Sequence, residues 1–186
     1  MSLLRIFIIN EDCIMNDNNK YIGISEDRLH HILGVARECY QIAKNMGESE
    51  NNCRRMFIIG WLHDIGYEFS EQQLEHPEIS AEMLTDMFTA YLPFTGQEDY
   101  FKIIDADAVK TIREHGRYYS AEYMPLSLKI LNIADMTVDS KGNKVDVMQR
   151  LEDIKLRYGE YSNQYLTACD VAVQVGLVDR NSICRN

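Results

Sequence analysis

Residues 54–67 read Arg-Arg-Met-Phe-Ile-Ile-Gly-Trp-Leu-His-Asp-Ile-Gly-Tyr, a nearly continuous apolar run that ends with a histidine beside an aspartate. A helix that is apolar on almost all faces lies inside a protein, so we predict a central, buried helix over residues 49–65 that Gly66 ends. Burying the polar pair His63 and Asp64 costs free energy unless hydrogen bonds or a metal ion compensate its polarity. The chain has five histidines, so the positions of the other four decide whether the sequence supports a metal site.

The composition indicates one domain. The chain has 186 residues, of which 46% are hydrophobic, and this is enough for one well-buried core. We predict an N-terminal extension over residues 1–24, a domain over residues 25–178 and a frayed tail over residues 179–186. The formal net charge of −10 argues against a protein that binds nucleic-acid polymers, because such proteins need a net basic face.

The cysteines and the apolar runs predict a cellular location. The five cysteines are scattered and include no Cys-x-x-Cys pair, which favours reduced thiols over disulfides or a zinc-thiolate site. The apolar run over residues 3–9 is too short for a membrane span and lacks the cleavage site of a signal peptide. We therefore expect a cytoplasmic protein without a membrane partner. The oligomeric state stays open, and a homodimer is one alternative.

Apolar residues recur at three- and four-residue intervals through most of the remaining chain, as in amphipathic helices. Ser25, followed by Glu26 and Asp27, is typical of a helix start. Besides the central helix, the predicted helices run from residue 25 to a stop at 47, from 75 to a turn at 91–96, and over 99–115, 126–137, 145–158 and 160–176. No alternating strand pattern of convincing length occurs, so we predict an all-α bundle of about seven helices.

Six polar residues fall at the ends of predicted helices or beside their buried stripes. They are His31, His63, Asp64, His76, His115 and Asp135. Imidazoles and carboxylates without thiolates suit Fe, Mn, Zn or Mg rather than a soft metal. Six protein ligands are more than one catalytic ion takes, whereas two ions about 3.5–4 Å apart would use them all. We therefore predict one or two divalent ions, with Fe or Mn preferred over Zn or Mg.

The order of these residues, one ligand position after another on separate helices, resembles the HD superfamily of metal-dependent phosphohydrolases. Residues 63–66, His-Asp-Ile-Gly, match its signature stretch. Residues 28–35, Arg-Leu-His-His-Ile-Leu-Gly-Val, resemble its opening Arg-x-x-His-x-x-x-Val pattern, which selects His31 over His30. Pro-Leu-Ser-Leu at residues 125–128, leading to the Ala-Asp that ends at Asp135, is similar to the bacterial diadenosine tetraphosphate hydrolase branch.

The resemblance, which spans about residues 25–138, implies an HD-domain bundle and a role for each ligand. It implies a first ion on His31, His63, Asp64 and Asp135, and a second ion on Asp64, His76 and His115. A water bridging the ions would attack phosphorus, so the catalytic residues His63 and Asp64 would act through the metals. The implied reaction is hydrolysis of a phosphate ester or anhydride in a small phosphorylated metabolite, such as a nucleotide or dinucleoside polyphosphate. Candidates to bind its phosphates are Arg28, Lys129 and Arg117, with Arg113 further back.

The sequence departs from the tetraphosphate branch at two places. Asp135 is followed by Met-Thr-Val-Asp-Ser-Lys, where that branch usually has a glutamate and an arginine; Lys141 could replace the arginine, but Val138 cannot replace an acid. His76 is followed by Pro-Glu-Ile-Ser-Ala rather than by a small, glycine-containing run. Lone histidines at helix ends also act as caps, which leaves the second ion open. A nucleotide-sensing domain without turnover and a di-iron oxygenase on the same helices remain alternative functions.

Overall fold

The computed structural model describes residues 25–69, 75–95, 104–120 and 123–183, with the backbone alone at residue 68 and over 86–95. The predicted extension over residues 1–24 lies outside the described residues. The described helices are α1 (Glu26–Asn45), α2 (Glu50–Leu62), α3 (His76–Thr95), α4 (Ala106–Glu114), α5 (Leu126–Asp135), α6 (Val147–Tyr158), α7 (Asn163–Gln174) and α8 (Arg180–Ile183). In these ranges the only pairing of β type is a single bridge between Val138 and Lys144. The predicted all-α fold is confirmed.

The main core forms where α1 packs along α2 and α5 packs across both of them. Side-chain caps start the first two helices: the Ser25 hydroxyl accepts from the N–H of Arg28, and the Ser49 hydroxyl accepts from that of Asn52. The core residues contributed by α1, α2 and α5 include Ile32, Val35, Ala36, Ile59, Leu62, Leu131 and Ala134, each at most 1% exposed. Full burial of an aliphatic side chain contributes roughly 1.5–3 kcal/mol, so this core supplies the rigid frame for the polar residues at the helix ends.

A second, smaller core lies between α6 and α7. It contains Val147, Leu151, Ile154, Ala168, Val171 and Ala172, together with Met136 from the turn after α5. The start of α6 is fixed by a capping box, in which Asp146 and Gln149 satisfy each other's backbone N–H groups. The helical pair therefore has its own apolar interior and joins the main core through the chain that follows α5. None of the described helices is both long enough and apolar enough to cross a membrane.

The central helix ends earlier than its apolar pattern predicts. The prediction that it runs through residue 65 is wrong, because α2 ends at Leu62 and His63 is its C-cap. The imidazole Nδ1 of His63 donates to the carbonyl oxygen of Gly60 at 2.6 Å, the acceptor that a continuing helix would offer to the N–H of Asp64. The chain then tightens into a short 3₁₀ turn over Tyr67–Phe69. His63 and Asp64 therefore lie in a turn, where the directions of their side chains are not set by the 100° rotation between successive helical residues.

Other helix ends also differ from the prediction. The turn predicted over residues 91–96 is wrong as far as residue 95, because α3 continues to Thr95; Pro93 lies in its last turn, where one missing N–H need not end a helix. Residues 99–103 of the helix predicted over 99–115 lie outside the described residues; residues 104 and 105 are not helical, and α4 starts at Ala106, capped by the Asp105 side chain, which accepts from the N–H of Ala108 at 2.8 Å. α7 starts three residues later than predicted, because Ser162 caps it. In the predicted tail, α8 forms one helical turn.

A close backbone approach fixes the turn after α5 against α1. A Cβ atom at Gly34 would lie 2.6 Å from the carbonyl oxygen of Gly142 and 2.7 Å from Val138 Cγ1. Gly142 itself has a φ of +78°, and a Cβ there would lie 2.4 Å from the carbonyl oxygen of His30. Both positions therefore require glycine, and their contact holds residues 138–144 against the middle of α1.

We expect Gly34→Ala to lower the free energy of unfolding by about 1–3 kcal/mol, since overpacking against backbone atoms forces a shift of the turn. Urea denaturation monitored by circular dichroism measures the change. Arg37→Ala is the control, because Arg37 is exposed on the same helix and should change stability by no more than about 0.5 kcal/mol. Equal stabilities for the two variants would contradict the close approach.

Candidate metal centre

Asp64 lies at the centre of four imidazoles. The side chain follows the end of α2 and is 3% exposed. Its Oδ1 lies 3.0 Å from His76 Nε2 and 3.5 Å from His115 Nε2. Its Oδ2 lies 3.5 Å from His63 Nε2 and 3.9 Å from His31 Nε2. Each carboxylate oxygen thus faces two imidazole nitrogens, an arrangement in which one carboxylate can be shared between two cations.

Backbone carbonyl groups orient three of these four imidazoles. The Nδ1 atoms donate to the carbonyl oxygen of Asp139 for His31, of Gly60 for His63 and of Ile112 for His115, at 3.0, 2.6 and 2.6 Å respectively. A carbonyl oxygen can only accept, so each Nδ1 carries a proton, and in the neutral form of such a ring the lone pair lies on Nε2. In all three cases Nε2 is the atom that faces the cluster. The fold therefore fixes the tautomer that a metal ion requires.

The Nε2 atom of His63 has no hydrogen-bond partner among the described residues. The ring is fully buried. Burial lowers the pKa of His63 to about 4, and the negative charge of Asp64 opposes this only in part. The imidazole is therefore neutral at pH 7, with an unpaired acceptor inside the protein. Buried acceptors are normally paired, and a divalent cation bound by the surrounding donors would satisfy this one.

Asp135 closes the cluster from the end of α5. One of its oxygens, Oδ1, lies 3.0 Å from His31 Nε2. Since the tautomer of His31 makes its Nε2 an acceptor, this short contact between two acceptors calls for a second proton on the ring or a cation. Among the described residues, two sets of three ligand atoms lie within 4.8 Å of one another: His31, His63 and Asp135, and His63, Asp64 and His115. The residues present fit a divalent ion at either set.

Both carboxyl groups of the cluster are ionised at neutral pH. Burial by itself would raise the pKa of Asp64, but His63, Arg28 and His76 outweigh burial and hold this pKa well below its usual range. Burial of Asp135 is outweighed in the same way, chiefly by its hydrogen bond with His31, and its pKa is lowered. Two negative charges beside these imidazoles attract cations to this part of the molecule.

Arg28 lies one turn before His31 on α1 and forms an ion pair with Asp64, from Nη1 to Oδ2. Burial would lower the pKa of Arg28, but the charges of Asp64 and neighbouring groups raise it, so the guanidinium stays charged. Its Cζ lies 3.4 Å from the centre of the Tyr67 ring. The Tyr67 ring lies 5.0 Å from that of His76. Arg28 is thus held between a carboxylate of the cluster and an aromatic face.

The comparison with protein families decides the identity of the fold. Residues 28–138, more than half of the chain, match the HD domain. The chain belongs to the HD domain family. HD domains in general are metal-dependent phosphohydrolases that bind divalent ions. A search of curated proteins and a search of solved structures each found no match.

The matched part of this HD domain contains all six predicted ligands, and the structure brings all six together. They come from separate elements: α1, the turn after α2, the start of α3, the residue after α4, and the end of α5. The predicted phosphate contacts differ in position. Arg28 contacts the cluster through Asp64, whereas Lys129 and Arg117 have exposed side chains. Arg113 forms an ion pair with Glu78 at 2.7 Å, which joins α4 to α3 rather than facing the cluster.

Three groups beside the cluster are not among the residues predicted from the sequence: the carbonyl of Asp139, the ring of Tyr67 and the guanidinium of Arg150. The carbonyl of Asp139 orients His31, but a backbone acceptor leaves no trace in the residue pattern. Tyr67 directly follows the His-Asp-Ile-Gly stretch, and an aromatic residue at that position is a sequence signal that could have indicated packing against the cluster. Arg150 approaches Asp135 from α6, outside the matched residues, and nothing in its local sequence distinguishes it from a surface arginine.

Proposed function

We propose that this HD domain hydrolyses a phosphate ester or phosphoanhydride in a small phosphorylated metabolite, with nucleotides or dinucleoside polyphosphates as the substrate class. The buried Nε2 of His63 supports this most directly: it has no hydrogen-bond partner among the described residues and lies 3.5 Å from Asp64. A neutral imidazole beside an ionised carboxylate, both cut off from solvent, is an arrangement that a divalent ion stabilises.

The proposed ligands form two groups that share Asp64. The first ion would be held by His31, His63, Asp64 and Asp135, and the second by Asp64, His76 and His115. Bound divalent ions lower the pKa of water and neutralise charge on phosphoryl oxygens. The chain itself keeps His31, His63 and His115 in the ligand tautomer through their Nδ1 hydrogen bonds, and it shields His63 and Asp64 from bulk water. These two residues act in catalysis through the ions that they hold.

Arg28 is the proposed first contact for substrate phosphate. Its side chain is 15% exposed, so part of the guanidinium is reachable from outside while Asp64 and Tyr67 hold the rest in place. An arginine fork binds phosphate oxygens in a bidentate manner. Lys129 and Arg117, which are exposed, are proposed contacts for phosphates further from the buried cluster. This arrangement suits a substrate with more than one phosphate group.

We expect Arg28→Gln to lower kcat/KM roughly 10- to 100-fold, the loss expected for one charge-assisted contact of about 1.5–3 kcal/mol. Most of the change should appear in KM if Arg28 binds the substrate equally in the ground and transition states. Steady-state kinetics on the metal-loaded protein measure both constants. Arg54→Gln is the control, since Arg54 is exposed on α2 and pairs only with Glu50 among the described residues. An unchanged kcat/KM for Arg28→Gln would rule out the phosphate contact.

The resemblance to the diadenosine tetraphosphate hydrolase branch suggests one substrate to test first. The branch pattern is incomplete here, because Val138 is fully buried in the core where that branch has an acid. We therefore propose the wider class of nucleotides and dinucleoside polyphosphates, with diadenosine tetraphosphate as one member of it.

The test is phosphate release from a panel of nucleoside mono-, di- and triphosphates and dinucleoside polyphosphates, by protein loaded with Mn²⁺ or Fe²⁺. The proposal expects release from at least one class and none from the Asp64→Asn variant. Binding of a nucleotide without any product would favour a sensing domain instead. Oxygen consumption with an apolar substrate, and no phosphate release, would favour an oxygenase.

A further inference from the structure

Arg150 is a buried charge that the HD domain match does not include. It lies on α6, twelve residues beyond the end of the matched segment, and its side chain is 10% exposed. Burying a guanidinium costs several kcal/mol unless well-placed partners compensate it. An apolar side chain at the same position of α6 would pack in the second core without this cost. The charge therefore requires an explanation in the groups around it.

Among the described residues, two carboxylates form ion pairs with the Arg150 guanidinium. Its Nη1 donates to Asp153 Oδ2 at 3.2 Å, and its Nη2 lies 3.7 Å from Asp135 Oδ1. The Nε atom is buried and has no hydrogen-bond partner among the described residues. Asp153 also pairs with Arg157 and is 40% exposed, so Asp153 alone does not account for a buried arginine. The other ion-pair partner is Asp135, a proposed ligand of the first ion.

The helix α6 also reaches the cluster at a second point. Tyr158 lies eight residues after Arg150, a little over two helical turns along α6. Its hydroxyl hydrogen-bonds to the hydroxyl of Tyr67 at 3.1 Å, and Tyr67 is the ring that lies against Arg28. The helix thus touches the cluster near Asp135 with one end and near Arg28 with the other. Through these two contacts, α6 forms one side of the site.

We propose that Arg150 is a positioning residue of the metal centre, which holds the Asp135 carboxylate toward His31 and His63 so that the three can share one cation. The pair of helices α6 and α7 thereby completes a site whose proposed ligands all lie within the matched residues 28–138. This inference rests on the proposed function, because it assumes that Asp135 is a ligand. It assigns to Arg150 an effect on metal binding that a purely structural ion pair would not have.

The test is calorimetric titration of the metal-free full chain with Mn²⁺, for wild type and for Arg150→Met. Methionine fills a similar volume but leaves the Asp135 carboxylate without this cationic partner, so the metal-free variant should fold with a lower Tm than wild type. We expect Mn²⁺ binding at one site to weaken about 10- to 100-fold, as for loss of a partner that orients a ligand. Arg150→Lys, which keeps the charge but not the planar fork, should give an intermediate affinity.

Arg157→Met is the matched control, because Arg157 lies on the same helix and pairs with the same Asp153 but is 36% exposed. It should bind Mn²⁺ like wild type. In an Asp135→Asn background, Arg150→Met should cause no further loss of affinity, since the group that it positions is already altered. If Arg150→Met failed to fold, Arg150→Lys would decide by the same titration.

Wild-type affinity in a folded Arg150 variant, or an equal loss in Arg157→Met, would overturn the positioning role. A wild-type protein that bound no Mn²⁺, Fe²⁺ or Zn²⁺ would instead overturn the proposed function. The two failures are therefore distinguishable in one set of titrations.

Discussion

Asp64→Asn is expected to lose at least one ion and to lower the activity of the metal-loaded protein by more than the roughly 100-fold that follows loss of an outer partner of a metal ligand. The reason is geometric, because each oxygen of Asp64 faces two imidazoles, so that one residue serves both proposed ions. An amide has no negative charge and offers only one good acceptor. Elemental analysis of the purified variant gives the number of ions per chain, and phosphate release gives the activity.

Asp107→Asn is the matched control for this variant. Asp107 also pairs with an arginine, Arg55, at 2.9 Å, but its side chain is 57% exposed and lies at the start of α4. It should keep the metal content and activity of wild type. A metal content for Asp64→Asn equal to that of wild type would show that Asp64 does not bridge two ions.

The metal-free protein is expected to lose about 3 kcal/mol of its free energy of unfolding as the pH falls from about 6.5 to about 4. In the folded state the pKa of His63 is lowered from 6.5 to about 4, while an unfolded histidine takes up its proton near 6.5. Between these two values the unfolded state binds more protons, so acid favours unfolding. A difference of this size corresponds to about 3 kcal/mol, at about 1.4 kcal/mol for each pH unit. Urea denaturation in the presence of a chelator, at pH 7 and at pH 4.5, measures most of the loss.

Two histidine variants separate this contribution from the rest of the pH dependence. His63→Gln should lose most of the fall between pH 6.5 and pH 4, whereas His30→Gln should keep it, because His30 is exposed on α1. The lowered pKa values of Asp64 and Asp135 act in a separate window: their stabilising effect is complete above about pH 4 and is lost only at lower pH. A His63→Gln protein with the full wild-type fall would contradict the neutral, buried state of His63.

The two predictions depend on different properties of the cluster. The first concerns charge and geometry at Asp64 and requires metal. The second concerns the metal-free protein and requires only that burial outweigh the charge of Asp64, so that the His63 imidazole stays neutral. If both results are found, the same cluster binds metal through Asp64 and holds the His63 imidazole neutral in the metal-free protein.

The helices and the order of the ligands could be read from the sequence. Apolar residues at three- and four-residue intervals report which face of each helix is buried, and this local property does not depend on the partner helix. The same pattern located the histidines and aspartates at the boundaries of buried helices. The helix ends were less accurate, since single side chains such as those of His63, Asp105 and Ser162 decide them by hydrogen bonds to nearby backbone groups.

The sequence by itself therefore determined an all-α HD domain and the six residues that could hold metal ions. Only the tertiary structure decided which imidazole nitrogen faces the cluster, that Arg28 pairs with Asp64, and that Arg150 approaches Asp135. The hydrogen bond that sets the tautomer of His31 joins residues 108 positions apart, and the contact of Arg28 with Asp64 spans 36. Such contacts form because the packed helices bring distant polar groups together where water is excluded, and no local pattern of residue types records that approach.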